Sequence, residues 1–564
     1  PAHPPRRARP ASRPVPRVST PAPAGAPPPI STLARSGTAI ALGTIASRVT
    51  GFLRTLVIAS AIGSAAVSDA YNVANTVPNA LYDLLLGGVL TSVVVPLLVQ
   101  AAHDDEDDGE AYAQRLLTMV TVTLAVVAVL AVIATPLVIS VYGDRLSPAS
   151  RHLATTFGRF FLPQLFFYGV GAVIGAILNV RGRFAAPMWA PVLNNIAVIA
   201  TGVLFLAITH SSPRVGDLTH TQTLVLAIGT TAGVVAQTIA LLPALRHCGF
   251  RIRLRWDWRG AGLRRAGPFA AWAFGYVVTN QLAFAAITNF ANAARDGRHG
   301  IGFGGYSYAF VVFQLPYAVI GVTVITALFP GMSRSATAGD EAGVASTLAE
   351  GLSVAGVVLV PATVLLVVLG VPIGTVMFDH GNTTQDQARL IGELLAAFGA
   401  GLVPFSAFQM QLRAWLAVRD SRTPMLVNIV VTAINLAADV LLLITLHGRH
   451  KIIGLGLGYS LSYAFGTVAF ALLLRRRMTP AAPTHVIRTH ARLVVAAVVA
   501  AVPTYLVSRV VTGHVGTGPV GSLAALALGG GVGLVGFWAL IRRMRVRELD
   551  QLLRMLPIGP RTPR

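Results

Sequence analysis

About fourteen apolar stretches, each near the ~20 residues a helix needs to cross a bilayer, recur between positions 38 and 541. They fall near 38–63, 71–101, 113–142, 153–180, 187–209, 221–246, 266–293, 304–332, 345–378, 389–417, 423–447, 452–475, 490–511 and 519–541. Lipid offers no partner to backbone N–H and C=O groups, so a spanning segment must satisfy them itself. Continuous apolar runs of this length select helices rather than the alternating strands of a barrel. The expected fold is an all-α polytopic membrane protein with about fourteen transmembrane helices. A chain that is 54% hydrophobic and 12% charged cannot be a soluble domain of this size.

The arginines orient these spans. An inside N-terminus places Arg181, Arg183, the basic run 246–265, Arg419, Arg422, Arg475, Arg476, Arg477 and the basic segment 542–547 in the cytoplasm. The opposite loops hold only Arg145, Arg151, Arg214, Arg295, Arg298, Arg449 and Lys451. Positive residues accumulate inside, so both termini are expected in the cytoplasm. The same distribution accounts for the net charge of +22 without nucleic-acid binding. Lys451 is the one lysine, which points to a GC-rich coding sequence. A single cysteine, Cys248, excludes an intramolecular disulfide and a Cys-rich metal site. The acidic stretch 103–110 lacks the spacing of an EF-hand loop and reads as a solvated charge run. Residues 1–35, rich in Pro and Arg, read as a disordered cytoplasmic tail able to touch anionic lipid or a protein partner.

A repeat divides the spans. Arg181, Pro187 and Met188 recur as Arg419, Pro424 and Met425, with the arginines 238 positions apart (419 less 181). Pairing spans 1–6 with spans 7–12 on this offset gives two six-helix lobes of parallel topology, related by pseudo-two-fold symmetry about the membrane normal. The expected units are 1–35 tail, 36–250 first lobe, 251–480 second lobe, 481–545 an appended helix pair and 546–564 a second tail. Pro78 and Pro316 interrupt spans and, with Gly51, are candidate hinges.

Arg48 and Arg54 lie deep inside the first span. Ten residues separate Thr38 from Arg48, about 15 Å along a helix and half the hydrocarbon thickness. A charge at that depth faces a wet cavity or a partner. Two readings stand: a cavity for an anionic substrate, or an internal ion pair that holds packing.

The motifs Ser47-Arg48-x-x-Gly51-Phe52-x-Arg54, Ser68-Asp69-Ala70-Tyr71, Val77-Pro78-Asn79 and Pro96 resemble the opening of the MurJ/MviN family. Gln314-Leu315-Pro316, Gly321-Val322, Pro330 and Ser333-Arg334 resemble its second-half counterpart. The resemblance covers about 36–545. It implies membership of the multidrug/oligosaccharidyl-lipid/polysaccharide exporter superfamily. It implies flipping of lipid II, the undecaprenyl-linked peptidoglycan precursor, across the bacterial cytoplasmic membrane by alternating access. Two lobes would enclose a cationic cavity, and the last two spans would form a groove for the lipid tail. Arg48 and Arg54 map onto the family's cavity arginines and Asp69 onto its motif aspartate; Asp69 also suits the N-cap of span 2. The chemistry agrees, since arginine grips phosphate oxygens in pairs.

This chain also departs from the family. Many members carry paired arginines and a glutamate on span 2, where this sequence runs Ala80-Leu81-Tyr82-Asp83, and an Asp-Arg pair on span 8, where it has Phe310-Val311. Asp83 is new charge at depth, and an ion pair with Arg48 or Arg54 is expected from it.

Asn435 and Asp439 share one face of span 11, and Asn280 and Gln281 sit midway along span 7. Some family members hold sodium between these helices, so the resemblance implies a metal site at Asn280, Asn435 and Asp439; an interhelical hydrogen bond is the other reading. No Gly-Lys-Ser/Thr phosphate loop is present, so coupling to sodium, protons or membrane potential is expected, with no organic cofactor. No nucleophile, base or metal cluster marks an enzyme. The expected partners are lipid II, membrane lipids and cell-wall synthesis proteins at the cytoplasmic tails. The alternatives are export of another lipid-linked glycan or a drug, and a membrane scaffold for cell-wall synthesis.

Overall fold

The computed structural model describes residues 30–84, 95–105, 107, 109–209, 213–256, 267–297, 300–477, 483–546 and 548. Most of the basic tail and part of span 2 lie outside the described residues. Every regular element among the described residues is helical. In chain order these are α1 (Ile30–Ile62), α2 (Ala66–Tyr82), α3 (Val95–Asp104), α4 (Glu110–Ile133), α5 (Thr135–Tyr142), α6 (Pro148–Phe161), α7 (Gln164–Val180), α8 (Ala185–Ile208), α9 (His220–Ile239) and α10 (Leu241–His247). The second half continues with α11 (Gly267–Ala293), α12 (Phe303–Pro316), α13 (Val322–Thr337), α14 (Glu341–Phe378), α15 (Gln385–Gly399), α16 (Leu402–Ala417), α17 (Arg422–Thr445), α18 (His450–Arg477), α19 (Pro483–Val515) and α20 (Pro519–Arg543).

Among the described residues, eleven segments are long and apolar enough to cross a membrane, and the bent pair α15–α16 makes twelve. With α2–α3 and α11 in their places in the order, the arrangement is consistent with fourteen spans. Several spans are two helices joined at a break with a local cause. Pro136 stands in the first turn of α5 and Pro163 precedes α7. Gly399 and Gly401 flank the 50° bend between α15 and α16.

Packing sorts the helices. In the first half α1 lies on α8, α8 on α9, α2 on α6 and α4 on α7. In the second half α14 lies on α15, α11 on α17, α17 on α18 and α16 on α18. The last two helices pack on each other and on α14, sealed by Val357, Leu493, Ala497, Phe537 and Ile541. Large apolar side chains such as Leu137, Ile444 and Val535 remain exposed, as a surface facing lipid requires.

The repeat is visible in the backbone. Pro78 precedes a π-type turn at Asp83–Leu84, and Pro316 leads directly into the π turn Tyr317–Gly321. These prolines stand at equivalent places 238 positions apart (316 less 78). Proline removes one ladder bond and π turns absorb the slack, which makes both points natural bends. The turn containing Arg181 and Arg419 has a different register. Gly182 (φ 72°) and Arg419 (φ 59°) occupy the left-handed position, closed by Arg183 N–H to Leu178 O and Asp420 N–H to Trp415 O. The offset here is 237 (419 less 182), so Arg419 matches Gly182 rather than Arg181. A side chain in this conformation is strained, whereas glycine is not. Arg419→Gly is expected to stabilise the protein by ~0.5–1 kcal/mol, read as a raised Tm in detergent.

Candidate functional site

A polar cavity of about 210 Å³ lies between the halves. One face of α2 supplies Asn72, Asn75, Thr76 and Asn79, at the spacing that aligns side chains along a helix. Helix α1 adds Arg54, α7 adds Gln164 and Tyr168, α8 adds Asn194 and α9 adds Thr230. The second half contributes Ser307, Tyr308 and Val311 from α12. Among the described residues, Arg54 is the one charged side chain in this lining.

Arg54 is partly buried and lies within Coulombic range of the Tyr71 and Tyr168 phenols. Arg48 is exposed, six residues earlier on α1 and so ~9 Å away along the axis. Among the described residues neither arginine forms an ion pair. Asp83 is exposed and forms none either, so the expected pair with Arg48 or Arg54 is not made in this conformation. Its place in the α2 stripe, one turn past Asn79, keeps it on the cavity's face.

The cavity is closed at the end where Asp69 lies. Asp69 is 1% exposed. It leaves the N-terminus of its own helix uncapped by any side chain and serves α12 instead. Its Oδ1 accepts the Gly304 N–H at 2.8 Å, and its Oδ2 meets Arg295 Nη1 at 3.0 Å. A carboxylate at a helix N-terminus is favoured by the unpaired amides and the helix dipole. The helix belongs to the opposite half, so the cap is also a latch. Glycines permit the approach: a Cβ at Gly302 would stand 2.4 Å from Asp69 Oδ2, and one at Gly304 would stand 2.2 Å from Ser68 Oγ. Ser68 Oγ and Tyr308 OH share a hydrogen bond of 2.9 Å across the same seam.

Gly51 lies within unbroken α1, where Asn195 Nδ2 of α8 approaches and donates to Ser47 O and Thr50 Oγ1. Pro78 and Pro316 both precede π turns, as described above.

The polar residues of the second half form two separate pairs. Asn428 Nδ2 donates to Asn280 Oδ1 at 3.0 Å. Two turns further along α17, Asn435 Nδ2 donates to Asp439 Oδ2 at 3.2 Å. Asn280 is therefore not beside Asn435 and Asp439. Asp439 is 1% exposed, and its Oδ1 is buried without a hydrogen-bond partner. That oxygen fits against Gly458 of α18, where a Cβ would stand 2.2 Å from it. A lone carboxylate oxygen with an amide carbonyl nearby suits a small hard cation.

The sequence reading passed over Arg413. It is exposed on α16 and within Coulombic range of Tyr276 and Tyr317. Arg48 also reaches the Tyr317 phenol, so cations from both halves converge on the π turn after Pro316. The rule for charge inside a span, applied to Arg48, identifies Arg413 as well. Phe310 explains part of the family departure. It packs on Phe398, Phe313 and Tyr459 within the second half's aromatic core, while Val311 beside it faces the cavity.

A long apolar groove of about 600 Å³ runs beside α14, α16, α18 and α19, with Gln411, Arg475 and His490 as polar lining.

Comparison with known proteins agrees with this architecture. The family model described as lipid II flippase MurJ matches residues 58–524. A probable lipid II flippase MurJ of Haemophilus influenzae is 27% identical over 419 residues, covering 71% of this chain and 78% of the relative. The lipid II flippase MurJ of Burkholderia cenocepacia is 27% identical over 393 residues, covering 68% of this chain and 73% of that protein. Among solved structures, a lipid II flippase MurJ in an inward closed conformation superposes with a TM-score of 0.71 at 19% identity, over 90% of this chain and 99% of the other. A multidrug resistance MATE transporter of the MOP superfamily shares the fold at a TM-score of 0.56 and 14% identity, over 79% of this chain and 94% of the other. With its family model matched across most of its length, this chain belongs to the lipid II flippase MurJ family.

Proposed function

We propose that this chain moves lipid II from the inner to the outer leaflet of the bacterial cytoplasmic membrane by alternating access. The observation that carries the reading is the polar cavity between two helix groups, holding Arg54 and closed at one end where Asp69 of α2 caps α12. Arg54, with Arg48 and Arg413 nearer the other end, would take the pyrophosphate oxygens, where low dielectric strengthens the attraction. The neutral amides and hydroxyls around Arg54 suit the sugar and peptide of the headgroup. The apolar groove beside α19 suits a polyprenyl tail. The asymmetry of arginines between alternate loops supports cytoplasmic termini, which puts the Asp69 latch on the outer side.

Cells depleted of the protein test this. Wild type is expected to restore exposure of the lipid II headgroup on the outer face. Normal exposure without the protein would overturn the reading.

We also propose that Asp439 is the ion-coupling group, with Asn435 as its neighbour. The support is the unpartnered Oδ1 in a buried site. Asp439→Asn is expected to abolish any dependence of transport on the sodium or proton gradient while the helices still pack. Wild-type transport in vesicles indifferent to both gradients would sink the proposal.

A further inference from the structure

The outer end of the molecule carries a second junction that none of the cavity residues makes. Helix α1 ends at Ile62, and Gly63 follows in the left-handed conformation with φ 73°. The last carbonyls of a helix have no partner within it. Here they are met by the turn 379–384, which joins α14 to α15 in the opposite half. The Asn382 N–H donates to Ser60 O at 2.9 Å. Its side-chain Nδ2 donates to Ala61 O at 2.7 Å. The Thr383 hydroxyl donates to Ala59 O at 3.0 Å. One turn on, Gln387 Oε1 accepts the Ser64 hydroxyl at 3.0 Å and also the Thr384 N–H of its own capping box. Ser64 is 0% exposed and Thr383 and Gln387 4% each, so the Thr383 and Ser64–Gln387 bonds are shielded from water, while Asn382 is half-buried. Gly381 makes the approach possible: its φ is 61°, and a Cβ there would stand 2.4 Å from Ser60 O.

We propose that the 379–384 turn is the second half of the outer gate, with Asn382 and Thr383 as its positioning residues. It caps the C-terminus of α1, while Asp69 caps the N-terminus of α12. Each half of the protein thus satisfies a helix end in the other. The inference rests on the transport reading above, but its physical content is separate. Parting the halves exposes the α1 carbonyls and the Gly304 amide together, and water replaces every lost bond. The net worth of one such bond is small, while an unmet buried group is costly. The closed gate is therefore held by several exchangeable bonds that make and break as a set, which suits a gate that must open in every cycle.

The test uses the full-length protein in intact cells, with Cys248→Ser and a reporter cysteine at Ser307→Cys on the cavity wall. A membrane-impermeant maleimide added outside reaches the reporter only through the outer gate. Thr383→Val keeps shape but deletes the cross-half donor to Ala59 O, leaving that oxygen only the Gly63 N–H, and is expected to raise the labelling rate at least about threefold. Asn382→Ala, which deletes the donor to Ala61 O, is expected to act in the same direction. Thr383→Ser restores the hydroxyl and is expected to return labelling to the reference rate. Unchanged labelling per folded molecule in Thr383→Val and Asn382→Ala would overturn the proposal, and so would a lower yield of protein with unchanged labelling. Labelling needs no lipid II. A gate that responds while lipid II exposure does not would therefore refute the transport reading and leave the gate standing.

Discussion

Arg54→Ala is expected to lower lipid II export by about 30- to 150-fold, with the protein still folded and inserted. A hydrogen bond to a charged group is worth ~1.5–3 kcal/mol, and arginine offers phosphate two in parallel. Losing ~2–3 kcal/mol of that grip gives the stated range, at about tenfold per 1.4 kcal/mol. The fold should tolerate the change. Among the described residues Arg54 has no carboxylate partner, so its removal leaves no buried charge behind. Arg54→Lys keeps the charge but loses the planar fork, and an intermediate loss of about tenfold is expected. Arg48→Ala should cost less, because Arg48 is exposed and water already competes for its guanidinium. The measurement is outward exposure of the lipid II headgroup in depleted cells complemented by each variant. Full export by Arg54→Ala would remove the cavity arginine from the mechanism.

The second large effect is on the gate. Asp69→Ala is expected to shift the balance of the two halves toward an outward-open state by about 30-fold or more. Two bonds go at once, the Gly304 N–H and the Arg295 ion pair. The Asp69 carboxylate is 1% exposed and the Arg295 side chain 22%, so the pair is neither a surface bridge nor fully dry. Breaking a buried pair costs ~3–5 kcal/mol, and partial rehydration of Arg295 lowers this to ~2–3 kcal/mol. That difference acts on the closed state alone, so it translates directly into population. Asp69→Asn keeps an acceptor for Gly304 and should produce roughly half the shift in free energy. Spin labels at Asp144, between α5 and α6, and Asp296, between α11 and α12, both exposed, would report the change as longer distances in a Cys248→Ser background. Transport should fall, since a molecule waiting outward-open does not load from the cytoplasm. Identical distance distributions in Asp69→Ala and wild type would rule out the latch.

Much of this was legible in the residues. Apolar length fixes a helical membrane fold, because lipid leaves backbone groups no partner outside their own segment. The prolines at 78 and 316 mark both π turns, since the lost N–H acts locally. Depth left a cavity and an ion pair both open for Arg48 and Arg54; the structure puts Arg54 in the cavity lining and leaves Arg48 outside it. The stripe Asn72, Asn75, Thr76, Asn79 follows from helical spacing as well.

What one helix cannot reveal is its partner. Asp69 sits where an N-cap of its own helix is the natural reading, yet it caps α12, more than 200 residues later. The resemblance puts Asn280 beside Asp439, and it instead bonds Asn428, about three turns from Asp439 on the same helix. Asp83 was expected to pair with an arginine and does not in this state. In each case the residue type set the possible bonds, but the choice among them depended on the translation and rotation of one helix against another. A side-chain bond tolerates only a few tenths of an ångström, whereas hydropathy locates a span to within several residues. Composition and periodicity therefore determined that this chain crosses the membrane many times and which charges lie within its spans. Only the packing of the two halves decided which of those charges meet, and so where the cavity is sealed.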